Sequence, residues 1–462
     1  MFALFIGREN ELSKLNEMYA GDKFECAIIY GRRRVGKTSL IQEFIKDKKS
    51  IYFLSLETSE RVNLENFSKG VWSAATGNTR AAPRFASFTD ALETVGDMAA
   101  DERIVLVIDE YPYIANSVKG MSSILQAQID MNLKNSKLFL ILCGSSMSFM
   151  EYQVLGYESP LYGRRTAQFK IQPFDFFESI GFHKKYNIYD NAVVYGITSG
   201  IPQYLAQIDD KKSLKMNIIK NFFDPASYLF EEPSNLLKQE LREPQMYNDI
   251  ITAIATGSSR MNEIATKTGL NTAVCSKYLS SLISLGIVKK ESPMFADKSK
   301  KTIYRLADNM FRFWYRFVPQ NISQIQSGAG EKIYNGIEQQ ISAYMGDVFE
   351  EICKQYLWRE NLAERLPFYF RDAGRWWGAD SIKKSEQEID IIAFNDDRVI
   401  FCECKWTNEL VGNAVLDGLI EKSRMFDYKD KHYFLFSKSG YTDKCRANTA
   451  SNVRLIEFKD MV

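Results

Sequence analysis

Histidine is nearly absent from this chain of 462 residues, with two copies, and the seven cysteines are scattered with no Cys-x-x-Cys pair. That pattern excludes a zinc-ribbon or a disulfide framework and fits a reducing, cytoplasmic setting. Net charge is also scarce. Lys and Arg total 59 against 58 Asp and Glu, a formal charge of +1. No global charge draws the chain to nucleic acid, so any such partner must be read from local patches. Long apolar runs are missing too. Ile104–Ile108 and Leu138–Cys143 have strand length, and no segment spans a bilayer. The opening stretch MFALFIGREN is too short for a secretory leader. Hydrophobic residues at 45% and charged residues at 25% are ordinary for a globular protein of about three domains.

Short apolar runs alternate with helical periodicity over the first 170 residues. Cys26–Tyr30, Ile51–Leu56, Ile104–Ile108, Leu138–Cys143 and Gln168–Ile171 read as buried strands of an α/β parallel sheet. From Phe174 to Glu243 the pattern is helical, with breakers at Gly200-Ile-Pro202, Pro225 and Pro233. Three short helices and a basic hairpin follow. The last third predicts a long helix, strands at Glu388–Phe394 and Val399–Cys404, a helix, and a strand at His432–Phe436. The expected division is 1–173, 174–243, 244–318 and 319–462.

Gly31-Arg-Arg-Arg34-Val35-Gly36-Lys37-Thr38-Ser39 follows a strand and opens a helix. This is the context of a P-loop, whose glycines turn backbone amides toward phosphates at a helix amino terminus. Lys37 adds a point charge, and the Thr38 hydroxyl can ligate Mg2+. Ile104–Ile108 ends in Asp109-Glu110, where an aspartate can hold the metal through water and a glutamate can polarise the attacking water. Ser145, at the tip of the next apolar strand, suits a polar sensor of the terminal phosphate. ATP and Mg2+ are the cofactors this site calls for.

Tyr247–Thr256, Arg260–Thr268 and Asn271–Leu285 read as three helices with a tight turn between the last two. Thr272, Ser276 and Lys277 on the third can face a major groove. The hairpin after it carries Lys289, Lys290, Lys298, Lys300, Lys301 and Arg305 against Glu291 and Asp297. Two uses stay open for it: phosphate contact with double-stranded DNA, or docking onto protein.

Asp390 precedes Glu403-Cys-Lys405 in a D-x12-E-x-K arrangement on two apolar strands. Glu403 and Lys405 project from one strand face. Two carboxylates can hold Mg2+ or Mn2+, and the ammonium can orient water for attack on a phosphodiester. The preceding helix contributes Glu350.

These residues carry a resemblance. Phe5-Ile-Gly-Arg-Glu-Asn-Glu-Leu12, GRRRVGKT, IDEYPYI, the GSS tip, Pro160-Leu-Tyr-Gly-Arg-Arg-Thr166 and Gly200-Ile-Pro-Gln-Tyr-Leu205 occur in that order. Together they resemble the archaeal-type ATPase family of the STAND branch, related to AAA+ proteins. The likeness covers about the first 320 residues. It implies an ATPase core with a catalytic glutamate, a helical lid and a winged helix-turn-helix. It places Ile6, Gly7 and Arg8 near the adenine, and Arg164 or Arg165 at the phosphates or at a neighbouring protomer of a homo-oligomer. The last third resembles the PD-(D/E)xK nucleases, with Ile389 where the name has proline. The expected function is an ATP-regulated protein that binds and cuts DNA, in defence or mobile-element biology. The alternative is an ATP-dependent assembly switch whose last domain binds without cutting.

Overall fold

The computed structural model describes residues 5–77, 83–295, 301–380, 385–447 and 450–462. Chain contacts divide it into two compact units. One is Met1–Pro173 with Ile201–Gln203, and the other is Phe174–Gly200 with Tyr204–Val462.

The first unit is built on five strands: β1 (Glu25–Tyr30), β2 (Ser50–Leu54), β3 (Ile104–Asp109), β4 (Leu138–Gly144) and β5 (Ala167–Lys170). Their order is β2-β3-β4-β1-β5, with every pairing parallel. All residues of β1, β3 and β4 are buried. Hence these strands are continuous apolar runs, as a sheet covered on both faces requires. Alternate residues serve opposite faces. Ala27, Ile29, Val105 and Val107 pack with Leu15, Leu40, Ile41 and Phe44 of helices Glu9–Ala20 and Lys37–Ile45. Ile28, Leu106, Ile108 and Leu140 pack with Phe67, Leu92 and Leu125 from three other helices. This is the α/β parallel architecture expected from the sequence. It sets β4, with Ser145 at its end, between the P-loop strand β1 and the Asp-Glu strand β3.

The second unit begins with helices Ile188–Thr198, Leu214–Phe222 and Tyr228–Glu240. Pro233, expected as a breaker, lies inside the last of these. Helices Pro244–Ala255, Met261–Thr268 and Thr272–Ser284 follow, then the antiparallel pair β6 (Val288–Glu291) and β7 (Ile303–Leu306). The helix Asn309–Phe317 leads to the long helix Gly330–Leu362. The final sheet contains β8 (Asp372–Asp380), β9 (Ser385–Phe394), β10 (Arg398–Lys405), β11 (Asp430–Ser437) and β12 (Val453–Glu457). Its order is β12-β11-β10-β9-β8. β8, β9 and β10 are antiparallel neighbours, whereas β10, β11 and β12 run parallel. The helix Asn413–Ser423 makes the crossover from β10 to β11.

The segments Phe174–Gly200 and Tyr204–Val462 form one unit because their cores interpenetrate. The buried Tyr344 hydroxyl, on the long helix, bonds to the carbonyls of Gly196 and Asn309. Asn309 N in turn donates to Ser199 Oγ at 2.6 Å. Among the described residues, no helix is long and apolar enough to cross a membrane.

Candidate functional site

At the carboxyl end of β1 the chain turns through Gly31, with φ of 158°, and Gly36, with φ of 89°. A Cβ on Gly31 would sit 2.4 Å from the Ile171 carbonyl oxygen, so only glycine fits this close approach. The Lys37 ammonium is buried, donating to the carbonyls of Gly31 (2.8 Å) and Arg32 (3.0 Å). Val35 has its side chain in the core, leaving its amide as the group that can meet a phosphate. Thr38 and Ser39 are exposed on the first helical turn, and Arg34 holds a left-handed conformation within the loop. Arg8 lies buried beside this loop. Its guanidinium donates to Val35 O at 3.1 Å and Gln172 O at 2.5 Å. The entry Ile6-Gly7-Arg8, left-handed at Gly7 and Arg8, is thereby pinned against the cradle.

Asp109, 2% exposed, gathers donors. Its Oδ2 accepts from Thr38 Oγ1 at 3.0 Å and Tyr52 OH at 2.5 Å, and its Oδ1 from the Glu110 amide at 2.9 Å. Thr38 and Asp109 thus set a hydroxyl and a carboxylate oxygen side by side at the mouth of the P-loop. Glu110 stands next to them at φ 50°. Its Oε2 accepts from both the amide (3.2 Å) and the hydroxyl (2.9 Å) of Ser145. The arginine pair divides. Arg164 forms a two-pronged ion pair with Asp130 (3.0 and 2.6 Å) and also donates to two loop carbonyls. That bond holds the Asp130 carboxyl below its ordinary range. Arg165 makes one long bond to Leu155 O at 3.5 Å and lies over the Tyr162 ring.

In the second unit, the β9–β10 hairpin turns at Asn395, as the spacing predicts. Asp390 lies mid-strand, because β9 starts three residues earlier than the expected strand at Glu388. The Cys404 amide donates to Asp390 Oδ2 at 2.7 Å, which fixes that carboxylate beside β10. Glu403 is buried and bonded on both oxygens, to Lys405 Nζ at 2.7 Å and to Lys422 Nζ at 3.1 Å. Lys422 escaped the sequence reading. It comes from the crossover helix, and no linear pattern ties it to Glu403. Burial, then the neighbouring Glu403 charge, pushes the Asp390 carboxyl up to about 6. Burial, then Asp390 and Asp347, pushes Glu350 up to about 8. Burial pulls the Lys405 ammonium down, but the charges of Glu403 and Asp390 outweigh it and leave it raised. Among the described residues, no group of three or more His, Cys, Asp or Glu is arranged to hold a metal ion. Both Glu403 oxygens are already taken by ammonium groups. Trp406, beside Lys405, packs against Phe349 and Phe458.

A stability effect follows for Glu350. Its folded value lies above the ordinary 4.5, so its contribution is present below that value and lost as pH rises through about 8. Glu350→Gln should therefore raise the melting temperature at pH 9 and change it little at pH 4. A gain of a few degrees corresponds to one or two kcal/mol, at roughly 2–4 °C per kcal/mol. Scanning calorimetry at the two pH values checks it, and an equal shift at both would contradict the burial argument.

Residues 5–208 match a family model described as an ATPase domain predominantly from Archaea. Residues 314–416 match one described as archaeal and bacterial proteins of unknown function. An uncharacterized protein of Methanocaldococcus jannaschii is 32% identical over 442 residues, covering 94% of this chain and 96% of that one. The chain belongs to this archaeal-type ATPase family. An uncharacterized ATP-binding protein of the same organism is 46% identical over 46 residues, covering 10% of this chain and 78% of that one. A Walker-type ATPase of Pyrococcus abyssi shares the fold at TM-score 0.52 and 22% identity, over 68% of this chain and 96% of that one.

The rest of this ATPase's candidate surface lies on the three short helices and the hairpin. Gly269, in the left-handed conformation, ends helix Met261–Thr268, and the Asn271 side chain caps the next by accepting from Val274 N at 2.9 Å. Cys275, Leu279 and Leu282 face inward, leaving Thr272, Ser276 and Lys277 exposed on one face. The hairpin behaves differently. Met294 N donates to Arg375 O of β8 at 3.0 Å. Phe295 sets its ring against Phe394 (4.6 Å), Phe426 (5.9 Å) and Tyr428 (6.3 Å). Arg305, counted with the basic hairpin, turns inward to Asp347 at 2.8 Å. Lys290 is exposed, and Lys289 is half-buried, 3.8 Å from Glu291. Lys298 and Lys300 lie outside the described residues.

Proposed function

We propose that this ATPase couples ATP binding and hydrolysis at Gly31–Thr38 to engagement of double-stranded DNA and to metal-dependent phosphodiester cleavage. The reading assigns 1–173 as the ATPase core, 174–243 as a helical lid, 244–318 as a winged helix-turn-helix and 319–462 as a PD-(D/E)xK nuclease-like domain. Glu110 is the water-polarising base, Ser145 its partner, and Thr38 with Asp109 the Mg2+ residues. Arg165, the less committed of the two arginines, is the better candidate to act across a homo-oligomer. Thr272, Ser276, Lys277 and Lys290 are the DNA-facing set.

The observation that carries the cleavage reading is the gathering of Asp390, Glu403, Lys405 and Glu350 at one place, with two carboxyls pushed up by burial and by neighbouring carboxylate charge. Perturbed carboxyls beside a lysine are the raw material of metal-assisted hydrolysis. The test is to incubate the protein with ATP, Mg2+ or Mn2+, and a panel of DNA and RNA. Lys37→Ala should weaken ATP binding roughly tenfold or more, since it removes a phosphate point charge, and should remove any ATP dependence of cutting. Absence of cutting under every metal and nucleotide condition ends the nuclease reading.

A second reading, an ATP-dependent assembly switch with a non-cutting last domain, draws on one observation. Glu403 is neutralised by two lysines rather than left open to a cation. The docked hairpin bears on both readings. Phe295→Ala should loosen the hairpin from the β8–β9 face and let the already exposed Lys290, with Lys289, approach a duplex. Duplex DNA affinity is then expected to rise several-fold, with the salt slope steeper by about one to two ions. Fluorescence anisotropy across a salt series measures this. An unchanged slope would mean that the hairpin contacts only protein.

A further inference from the structure

We propose that Tyr52 is a positioning residue for the Mg2+ of the nucleotide site, acting through Asp109 on Thr38. The inference rests on the assignment of Thr38 and Asp109 as the Mg2+ residues. Tyr52 lies on β2, whose parallel pairing with β3 aligns Tyr52 with Val107 and Leu54 with Asp109. The phenol reaches from mid-strand to the Asp109 position, and its hydroxyl donates to Asp109 Oδ2 at 2.5 Å. The Thr38 hydroxyl donates to that same oxygen at 3.0 Å.

Two donors on one carboxylate oxygen have a directional consequence. A threonine that gives its proton to Asp109 keeps its oxygen lone pairs for a cation. Which way those lone pairs point depends on where Asp109 Oδ2 is held. The Glu110 amide fixes the other oxygen, Oδ1, at 2.9 Å. Tyr52 therefore supplies one of three donors, with Thr38 and the Glu110 amide, that set the plane of a carboxylate buried to 2% exposure. Without the phenol, Oδ2 loses the shorter of its two hydrogen bonds, and the carboxylate is held less firmly against Thr38. The nucleotide cradle itself, made by Gly31, Gly36 and Lys37, does not involve Tyr52. The defect should thus appear in the metal dependence and spare metal-free nucleotide binding.

The sequence offered no sign of this. Tyr52 sits in an ordinary apolar strand, 57 positions from its partner, and an aromatic there reads as core.

The test titrates a fluorescent ATP analogue against wild type, Tyr52→Phe and Asp109→Asn, in EDTA and across Mg2+ concentrations. Phenylalanine keeps the ring, so the fold is retained. Tyr52→Phe is expected to need about three- to tenfold more Mg2+ for half-maximal nucleotide affinity. Its affinity in EDTA should match wild type. Asp109→Asn should shift the Mg2+ midpoint further. If Asp109→Asn shifts it and Tyr52→Phe stays within twofold of wild type, Tyr52 has no positioning role and the metal assignment stands. If neither variant shifts it, the assignment of Asp109 fails, and the role of Tyr52 falls with it.

Discussion

Replacing Glu110 with glutamine is expected to slow ATP turnover by about a hundredfold or more, the usual contribution of a positioned general base, while leaving ATP affinity within about twofold. The carboxylate leaves β3 directly after Asp109, and its Oε2 is held by the amide and hydroxyl of Ser145. Glutamine has the same shape and can still accept those two bonds through its amide oxygen. What it loses is the capacity to take a proton from water. The nucleotide cradle lies on a different strand and loop, so binding should survive. Ser145→Ala should have a smaller effect, because the backbone amide of residue 145 still reaches Glu110. Single-turnover hydrolysis, paired with direct binding of an ATP analogue, separates the two steps. If Glu110→Gln turns over within about threefold of wild type, Glu110 is not the base.

The nucleotide site was the most legible part of the molecule because its determinants are local. Eight consecutive residues make the loop, and strands buried on both faces announce themselves as unbroken apolar runs. The order of motifs along the chain also carried the family, which the 32% identical relative then established. Three misses share one cause, since each depends on residues far apart in sequence. Arg164 looked free for phosphate until Asp130, 34 positions away, took it. Lys422 meets Glu403 only through the crossover helix. Arg305 added to a basic hairpin on paper, yet it turns in toward Asp347. Two strands of the last sheet went unseen for local reasons. β8 carries Gly374, Arg375, Trp376, Trp377 and Gly378, which break any alternation, and β12 is five residues long. Breakers such as Pro225 and Pro233 marked joints in the chain, but packing across them makes Tyr204–Val462, with Phe174–Gly200, one unit.

The second large effect is expected at Asp390. Asp390→Ala should abolish Mg2+- or Mn2+-dependent cleavage of nucleic acid while ATP hydrolysis stays within about twofold of wild type. The carboxylate is locked beside Glu403 by the Cys404 amide, and alanine leaves that amide without its acceptor. Asp390→Asn is therefore the sharper variant. It preserves an acceptor for Cys404 and removes only the charge that a divalent cation needs. Both variants should be equally inactive if the charge matters, whereas a purely structural role would spare asparagine. The pH profile gives an independent check. Asp390 is pushed up to about 6 and Glu350 to about 8, so both carboxyls are neutral in mild acid. A cation must wait for them to ionise, and cleavage should climb as pH rises from about 6 to 8. Cation binding itself favours ionisation, so raising Mn2+ should move that climb to lower pH. Lys422→Ala opens one oxygen of Glu403, and on the same logic it should lower the Mn2+ concentration required. Cleavage that is flat with pH, or that persists in Asp390→Asn, would place the chemistry elsewhere in the chain.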